Sequence, residues 1–186
     1  MPVLARETEL YPDDLLDRYL DGSLVDSAWW AIYTRSRREK ELARRLLAQD
    51  VSFYCPMIEQ RKRSPAGRVR TSNIPLFPGY LFLCGDDDDR RTALATNCVS
   101  QCFSVPDSQG LVTDLQQISR LVEVGESLTP ELELGAGMPV RVLSGPFEGF
   151  TGEVIRRQRK HRLVVAVNFM QQGVSAVLDD CDLERL

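Results

Sequence analysis

The stretch Pro75-Leu76-Phe77-Pro78-Gly79-Tyr80-Leu81-Phe82 decides the fold of the first part of this chain. Proline followed by glycine indicates a tight turn, and the apolar run after it predicts a buried strand. Because side chains alternate along a strand, Tyr80 and Phe82 point to one face of the sheet and Leu81 points to the other. Two interpretations stay open: the aromatic residues form an exposed patch that fits a partner helix, or the whole stretch is core.

The segments around this stretch predict a domain of helices packed on a sheet. Strands are expected at residues 29–34, 51–57, 76–83 and 99–105, and helices at residues 37–49, 90–96 and 115–125. Ser36 and Glu39 fit a capping box for the first helix, and Asp88 or Asp89 can cap the second. The order β-α-β-β-α-β-α over about 100 residues indicates an α+β sandwich.

A second constellation, Gly145-Pro146-Phe147-Glu148-Gly149-Phe150-Thr151-Gly152, lies later in the chain. Its glycines allow tight reversals around a hairpin, and its two phenylalanines can anchor the loop to a core. Short alternating runs over residues 138–186 predict a small β-barrel with Phe169 among its core residues. The domains are therefore expected at residues 28–125 and 138–186, with a linker at residues 126–137 and a short helical extension at residues 1–27.

Charge is distributed unevenly along the chain. The net charge is −4, but residues 29–82 hold eleven Lys/Arg against four Asp/Glu, a local net of +7. Such a basic block inside an acidic protein indicates a directed contact with a polyanion. No apolar run approaches the roughly 20 residues that a membrane helix needs. The first residues are acidic and unlike a signal peptide, so we expect a cytoplasmic protein that does not bind membranes.

Catalytic, metal-binding and cofactor-binding interpretations find little support. The five cysteines form no C-x-x-C pair and are expected to be reduced packing residues. His161 is the only histidine, in a basic stretch at residues 156–162 that is expected to be an exposed loop. The chain has no phosphate loop or dinucleotide fingerprint, and residues 86–89 are better explained as a solvated helix start than as a metal site. We therefore expect no enzyme, no cofactor and no bound metal.

Three motifs in register resemble the NusG family of transcription elongation factors. Phe77-Pro78-Gly79-Tyr80 is similar to the signature of the family's amino-terminal domain, and residues 29–35 are similar to its opening strand. Tyr54-Cys55-Pro56-Met57 and the basic loop before Pro75 look closer to the specialised, RfaH-like paralogues. The resemblance implies an antiparallel α/β sandwich followed by an SH3-like KOW barrel. The positions that match the KOW motif are Gly145, Pro146, Phe147, Gly149, Phe150 and Gly152.

The same resemblance implies a docking surface for RNA polymerase. NusG-type factors bind the clamp helices of the largest polymerase subunit, and bridging the cleft disfavours the open, paused state. The residues that map to this surface, with Phe77 in a supporting position, are Tyr33, Phe77, Tyr80, Phe82 and Phe103. RfaH-like proteins also use a His/Thr cluster to contact the opposite subunit. Asp89-Arg90-Arg91-Thr92 shares only its threonine with that cluster, so the resemblance does not carry this contact over.

RfaH-like factors also touch the exposed non-template DNA strand, and this contact would be weak in an isolated domain. Arginine suits the contact because its guanidinium group binds phosphate bidentately and stacks on unpaired bases. The positions that carry over are Arg35, Arg38 and Arg45, and helical spacing places Arg37 and Arg44 beside them. The alternative for each arginine is an ordinary solvated helix face.

Three functions stay open from the sequence. The first is a specialised, monomeric antitermination factor that acts on particular operons and keeps a stable barrel. The second is a housekeeping NusG whose barrel recruits the termination factor Rho or a ribosomal protein. The third is a KOW-type RNA-binding or ribosome-assembly protein, in which residues 156–162 would contact RNA.

Overall fold

The computed structural model describes residues 7–24, 26–64, 67–124, 128–131, 137–157, 160–178 and 182–186. The chain divides into two compact units, Met1–Ser108 and Gln109–Leu186. Each unit contains helix and antiparallel sheet, which confirms the predicted α+β class. Within the described ranges, no helix has the length and apolar character needed to cross a membrane.

The first unit is built on a five-stranded antiparallel sheet with a separate two-stranded ribbon. In chain order its elements are β1 (Leu10–Tyr11), α1 (Leu15–Leu20), β2 (Ala28–Thr34), α2 (Glu39–Ala48), β3 (Ser52–Tyr54), β4 (Met57–Arg63), β5 (Val69–Pro75), β6 (Tyr80–Gly85), α3 (Asp87–Ala95) and β7 (Val99–Ser104). The strand order in the large sheet is β1-β3-β6-β2-β7, and β4 pairs with β5 alone. The turn singled out in the sequence therefore leads directly into the middle strand, β6.

One face of the large sheet carries the main core. Leu42 and Leu46 of α2 are fully buried in one cluster with Ile32 of β2 and with Leu81 and Leu83 of β6. The alternation predicted for β6 is thus confirmed, because its leucines lie on the core face. Burial of each such side chain contributes about 1.5–3 kcal/mol to stability.

Helix α2 starts later than the capping-box prediction placed it. Arg37 has a left-handed backbone, with φ 60°, so the helix cannot include it. The N-cap is Arg38, whose side chain makes no capping hydrogen bond, and the helix begins at Glu39. The predicted pairing of Ser36 with Glu39 is therefore wrong, and the carboxylate of Glu39 is available for another contact.

The acidic stretch before α3 is a helix start, but its cap lies earlier than predicted. Asp86 is the N-cap, and its side chain accepts hydrogen bonds from the backbone N–H groups of Asp88 and Asp89, both at 2.9 Å. Asp89 in turn accepts from the backbone N–H of Asp86 at 3.0 Å, which completes a capping box. These carboxylates therefore stabilise the end of a helix, as acids in a first turn do.

The extension at the start of the chain packs onto the first unit. Strand β1 pairs with β3 at the edge of the large sheet. Helix α1 buries Leu15 completely and Leu16 to 4% exposure. The ring of Tyr19 meets the buried ring of Trp29 edge-on, with centroids 5.7 Å apart. The predicted short helix exists, and it helps to bury the face of the sheet that lies opposite α2.

The second unit consists of helix α4 and a six-stranded antiparallel sheet. Its elements in chain order are α4 (Ser108–Val124), β8 (Thr129–Glu131), β9 (Met138–Val142), β10 (Thr151–Arg157), β11 (Lys160–Val167), β12 (Gln172–Val177) and β13 (Leu183–Arg185). The strand order is β13-β9-β10-β11-β12-β8. Val165 and Phe147 are buried as the alternating pattern predicts, but Phe169 is 40% exposed in a short 3-10 helix, so its predicted place in the core is wrong.

The second unit begins earlier in the chain than the boundary expected from the sequence. Gln117 of α4 accepts hydrogen bonds from the backbone N–H and the hydroxyl of Thr151, at 3.3 and 3.2 Å. The guanidinium of Arg120 lies 5.1 Å from the centre of the Phe150 ring. These contacts explain why α4 groups with the strands that follow it. Part of the expected linker is strand β8, while residues 126–127 and 132–136 of that linker lie outside the described residues.

Candidate functional site

The side of the large sheet opposite α2 presents an aromatic patch formed by Tyr33, Tyr80 and Phe103. Tyr33 of β2 is directly opposite Tyr80 of β6, and the two rings lie 5.2 Å apart with planes tilted by 58°. Strand β7 places Phe103 opposite Ala31, two residues before Tyr33 and therefore on the same face. Tyr33 and Phe103 are each 40% exposed, and Tyr80 is half-buried. The patch is thus accessible over three neighbouring strands.

The turn before β6 holds the patch in place. Gly79 has φ 85°, a left-handed backbone that favours glycine. A Cβ atom on Gly79 would lie 2.8 Å from Cε2 of the Tyr33 ring. The carbonyl of Gly79 accepts from the backbone N–H of Thr34 at 2.7 Å, and its own N–H donates to Glu39 at 2.7 Å. The sequence predicted the turn but did not assign this role to Glu39, because the pairing spans 40 residues.

Two of the predicted docking residues are buried. Phe77 is 2% exposed and Phe82 is fully buried, and their rings meet edge-on with centroids 6.3 Å apart. Phe82 lies between Ala31 on one neighbouring strand and Tyr54 on the other, and both are buried as well. The expectation that Phe82 is exposed beside Tyr80 is therefore wrong. Phe82 packs edge-on with Phe77 inside the unit and does not belong to the exposed patch.

The five predicted DNA-binding arginines are all exposed, but three of them are engaged in ion pairs. Arg38 and Arg45 both pair with Glu41, the latter at 2.8 Å. Arg44 pairs with Glu7 at 3.0 Å. Hydrogen bonds, first from Arg38 and then from Arg45, hold the pKa of Glu41 below its usual range, so the carboxylate stays charged near neutral pH.

The remaining two arginines, Arg35 and Arg37, form no ion pair with any residue in the described ranges. Arg35 follows the end of β2, where its backbone N–H donates to the carbonyl of Cys98 at 2.8 Å. Arg37 lies in the turn between β2 and α2. Among the described residues, the five arginines thus comprise two without an ion pair and three whose charge is partly neutralised by a carboxylate.

The glycine-rich motif of the second unit acts as a scaffold, as its residues predict. Phe147 and Phe150 are buried with their rings edge-on, 6.2 Å apart. Gly145 and Gly149 adopt left-handed backbones, with φ 89° and 84°. A Cβ atom on Gly152 would lie 2.3 Å from the carbonyl oxygen of Val164 on the neighbouring strand. Pro146 lies exposed between these residues, so the motif shapes a loop and is not itself a pocket.

The basic stretch at residues 156–162 differs from the exposed loop that was expected. Its described residues belong to strands β10 and β11, and His161 pairs in the ladder with Arg156. Arg162 donates to the hydroxyl of Ser175 at 2.9 Å and to that of Thr129 at 2.8 Å. Ser175 in turn donates to the buried carboxylate of Glu131 at 2.6 Å. The side chain of Arg162 therefore links strand β11 to β12 and β8 through hydrogen bonds. Residues 158–159 of the basic stretch lie outside the described residues.

The cysteines are placed for packing. Cys55, Cys84 and Cys98 are buried and Cys102 is half-buried, whereas Cys181 lies outside the described residues. Burial raises the pKa of the Cys84 thiol to about 12, and burial raises that of Cys55 as well. Such thiols stay protonated and unreactive near neutral pH. Among the described residues, no group of three His, Cys, Asp or Glu side chains could hold a metal ion.

Comparison with known proteins agrees with the sequence motifs. Residues 27–131 match a family described as "Transcription termination factor nusG". The transcription termination/antitermination protein NusG of Thermus thermophilus is 31% identical over 147 residues, which cover 68% of this chain and 80% of that protein. A crystal structure of an MjSpt4:Spt5 complex aligns with 85% of this chain and 97% of its own chain, at 16% identity. The TM-score of this alignment is 0.28.

Proposed function

Because the chain belongs to the NusG family of transcription termination/antitermination factors, we propose that it binds RNA polymerase through the aromatic patch. The observation that carries this proposal is the exposed pairing of Tyr33 with Tyr80 beside the Gly79 turn. Members of this family are non-enzymatic factors, so the activity to be explained is binding. The patch offers a rigid apolar surface without charged groups among its three side chains, which suits the apolar stripe of a partner helix.

The partner element that best fits the aromatic patch is the pair of clamp helices on the largest polymerase subunit. Aromatic side chains give a large contact area at low entropic cost, and they dominate binding energies when they sit at the centre of an interface. Phe82 and Phe77 are buried, with their rings edge-on, and are therefore not part of the accessible surface. Binding there would favour the closed cleft over the paused state, which is a shift of populations and requires no chemistry.

A second contact of the first unit is proposed with the non-template DNA strand. Arg35 and Arg37 form no ion pair with the described residues and are the first candidates for phosphate contacts. Arg38, Arg44 and Arg45 would join them only by exchanging a carboxylate partner for a phosphate. The contact is therefore expected to be weak and to depend strongly on salt.

We favour a specialised, RfaH-like factor that suppresses pausing and termination on particular operons. This preference is supported by residues 54–57 and by the basic segment before Pro75, which both resemble the RfaH-like paralogues. A housekeeping factor whose second unit recruits Rho or a ribosomal protein is the alternative. The RNA-binding alternative is weakened, because Arg162 of the proposed RNA contact is engaged with Ser175 and Thr129.

Co-purification with RNA polymerase tests the docking surface. The double variant Tyr33→Ala with Phe103→Ala removes both 40%-exposed rings and leaves the buried core untouched. Each hot-spot aromatic residue contributes about 2 kcal/mol, so the loss of both should weaken binding by more than about a hundredfold. The matched control replaces Leu94 and Phe169, which are 42% and 40% exposed elsewhere on the chain. Equal retention of polymerase by a folded double variant and by this control would refute the assignment.

A further inference from the structure

The two edges of the large sheet differ in how they are covered. At one edge the two residues of β1 pair with β3, so the extension shields that strand. At the other edge lies β7, and no strand in the described part of the chain pairs with its outer side. This outer side is named here the β7 edge (residues 99–104). Four of its six residues are exposed: Ser100, Gln101, Phe103 and Ser104.

The β7 edge presents backbone groups that are free to bond another strand. Directly after β7, the backbone N–H of Val105 donates to the carbonyl of Trp29 on β2 at 3.1 Å. Because hydrogen-bonded positions alternate along an antiparallel strand, Phe103 also faces β2. The N–H and C=O groups of Cys102 and Ser104 therefore point away from β2. Within the described ranges, these outward groups have no hydrogen-bond partner.

Most of the usual protection of a free edge is missing from β7. The strand contains no charged residue and no proline. Native proteins place such residues, bulges or covering elements at an edge, because a free edge is a template for another chain. One such feature is present, a register shift between Tyr33 and Thr34 that leaves Ser100 as an extra residue near the start of β7. Residues 101–104 remain regular and open to a partner strand.

The β7 edge adjoins the aromatic patch. Phe103 belongs to both, because its 40%-exposed ring lies on the patch and its backbone lies between Cys102 and Ser104. A strand added to β7 would lie about 4.8 Å beyond it. Alternate side chains of that strand would continue the surface formed by Tyr33 and Phe103. A partner that docks on the aromatic patch is therefore brought within reach of the β7 edge.

We propose that an extended segment of RNA polymerase pairs with the β7 edge as an additional strand when the aromatic patch docks. This contact rests on the docking proposed above and adds main-chain hydrogen bonds to the same interface. Addition of a strand to a free sheet edge is a common mode of peptide recognition. The chemistry of the segment follows from the edge: an apolar or aromatic side chain opposite Phe103, and no proline opposite Cys102 and Ser104.

A second copy of the chain is a less suitable occupant of the β7 edge. Pairing along about four residues covers far less than the about 800 Å² per partner that a stable interface needs. Two chains held together by this strand alone would therefore separate quickly. A segment of a partner that is already docked on the aromatic patch pairs at a high effective concentration, so that the same few hydrogen bonds are sufficient.

Hydrogen exchange of the full chain, free and bound to core RNA polymerase, tests the pairing. In the free chain the amides of Cys102 and Ser104 should exchange quickly and that of Phe103 slowly. In the complex, exchange at Cys102 and Ser104 should slow by about tenfold or more, because the new hydrogen bonds must open before exchange. Unchanged exchange at these two amides in a chain that binds polymerase would overturn the pairing. Failure of the docking itself is seen separately, as retention of polymerase by the Tyr33 and Phe103 double variant.

A proline variant tests the same bonds by their loss. Ser104→Pro removes an outward N–H, which the fold of an edge strand tolerates, and Ser104→Ala measures the effect of the side chain alone. We expect Ser104→Pro to bind polymerase about five- to tenfold more weakly than Ser104→Ala. Equal affinities would overturn the proposal, and so would a dimer of the free chain, seen by sedimentation, that Ser104→Pro disrupts. The fluorescence of Trp30, which lies opposite Ser104, reports folding, and exchange in the natural chain decides the question if the proline variant unfolds.

Discussion

The carboxylate of Glu39 accepts a hydrogen bond from the backbone N–H of Gly79 at 2.7 Å, which joins the first residue of α2 to the turn before β6. Glu39 is only 8% exposed, so the bond forms in partly dry surroundings. The carbonyl of the same glycine accepts from Thr34 at 2.7 Å. Both backbone groups of Gly79 are thus occupied, and the position of the aromatic patch depends on α2 as well as on β2.

Removal of the Glu39 carboxylate should destabilise the first unit. A hydrogen bond to a charged group contributes about 1.5–3 kcal/mol, so Glu39→Ala is expected to lower the free energy of unfolding by about that amount. Glu39→Gln keeps an acceptor oxygen and should cost less. Both tryptophans of the chain, Trp29 and Trp30, lie in β2, so urea denaturation followed by tryptophan fluorescence reports on this unit. If the alanine and glutamine variants were both as stable as the natural chain, the bond would have no structural role.

Gly79→Ala should damage both stability and polymerase binding. The new methyl group would lie 2.8 Å from the ring of Tyr33, and it would also force a side chain onto a backbone with φ 85°. Gly67→Ala is the matched control, since Gly67 has φ 79° but nothing within 4 Å of its added Cβ. The control should lose roughly 1 kcal/mol of stability from backbone strain alone, and Gly79→Ala at least about 1 kcal/mol more. Urea denaturation measures the stability of each variant, and co-purification measures its binding to polymerase. If Gly79→Ala and Gly67→Ala lost the same amount of stability and of binding, the proposed clash with Tyr33 would be contradicted.

The extension should be a structural part of the first unit. Leu15 is fully buried, whereas Leu20 of the same short helix is only half-buried. Leu15→Ala is therefore expected to lower the free energy of unfolding by about 2–4 kcal/mol, and Leu20→Ala by clearly less. The emission of Trp29, which the α1 ring of Tyr19 contacts, should shift towards the red if α1 detaches. Similar stabilities of the two variants would show that α1 is only loosely attached.

Local sequence patterns predicted most of the fold. The alternation of Tyr80 and Leu81 assigned the faces of β6 correctly, because a strand's period of two depends only on the chain itself. The burial of Phe82 depends on its neighbours Ala31 and Tyr54, which are distant in sequence. An alternating pattern identifies the two faces of a strand but does not show what covers each face.

Long-range contacts explain the other differences. Glu39 looked like a capping residue because its neighbours suggested a helix start, but its partner is Gly79, 40 residues later. No local signal in the sequence shows that Gln117 of α4 accepts hydrogen bonds from Thr151, 34 residues later. Helical spacing rules also do not predict ion pairs between distant residues, such as the pair of Arg44 with Glu7.

The thiols should resist alkylation in the folded state. Desolvation raises the pKa of Cys84 to about 12, so at pH 8 roughly one thiol in ten thousand is ionised, and the side chain is also inaccessible. Burial raises the pKa of Cys102 as well, but Cys102 is only half-buried, so we expect it to react slowly and Cys84 hardly at all. Iodoacetamide labelling followed by mass spectrometry of the peptides measures this order, and urea should abolish it. Rapid native labelling of Cys84 would contradict its buried position.

The last prediction concerns single-stranded DNA and follows from the shared partner of Arg38 and Arg45. Both guanidinium groups pair with Glu41, whose pKa is lowered chiefly by its hydrogen bond from Arg38. A carboxyl group with a lowered pKa stabilises the fold at every pH above its ordinary pKa. This stabilisation is lost only as the pH falls through the lowered pKa. At neutral pH the two arginines are therefore occupied, and a phosphate must compete with Glu41.

Glu41→Gln should strengthen single-stranded DNA binding by the full chain, because it removes the negative charge that pairs with Arg38 and Arg45 and keeps both guanidinium groups. Arg35→Ala with Arg37→Ala should weaken binding, since these two have no ion pair to break among the described residues. Each phosphate that is newly bound or released should change the salt slope by about 0.7, so the first variant raises the slope and the second lowers it by about 1.4. Anisotropy titrations with an unstructured oligonucleotide from low to moderate salt measure both changes. Glu184→Gln, which removes the carboxylate beside Arg141 in the second unit, is the matched control for a generic increase in positive charge. If Glu41→Gln and Glu184→Gln raised the affinity equally, Arg38 and Arg45 would be only part of a solvated surface.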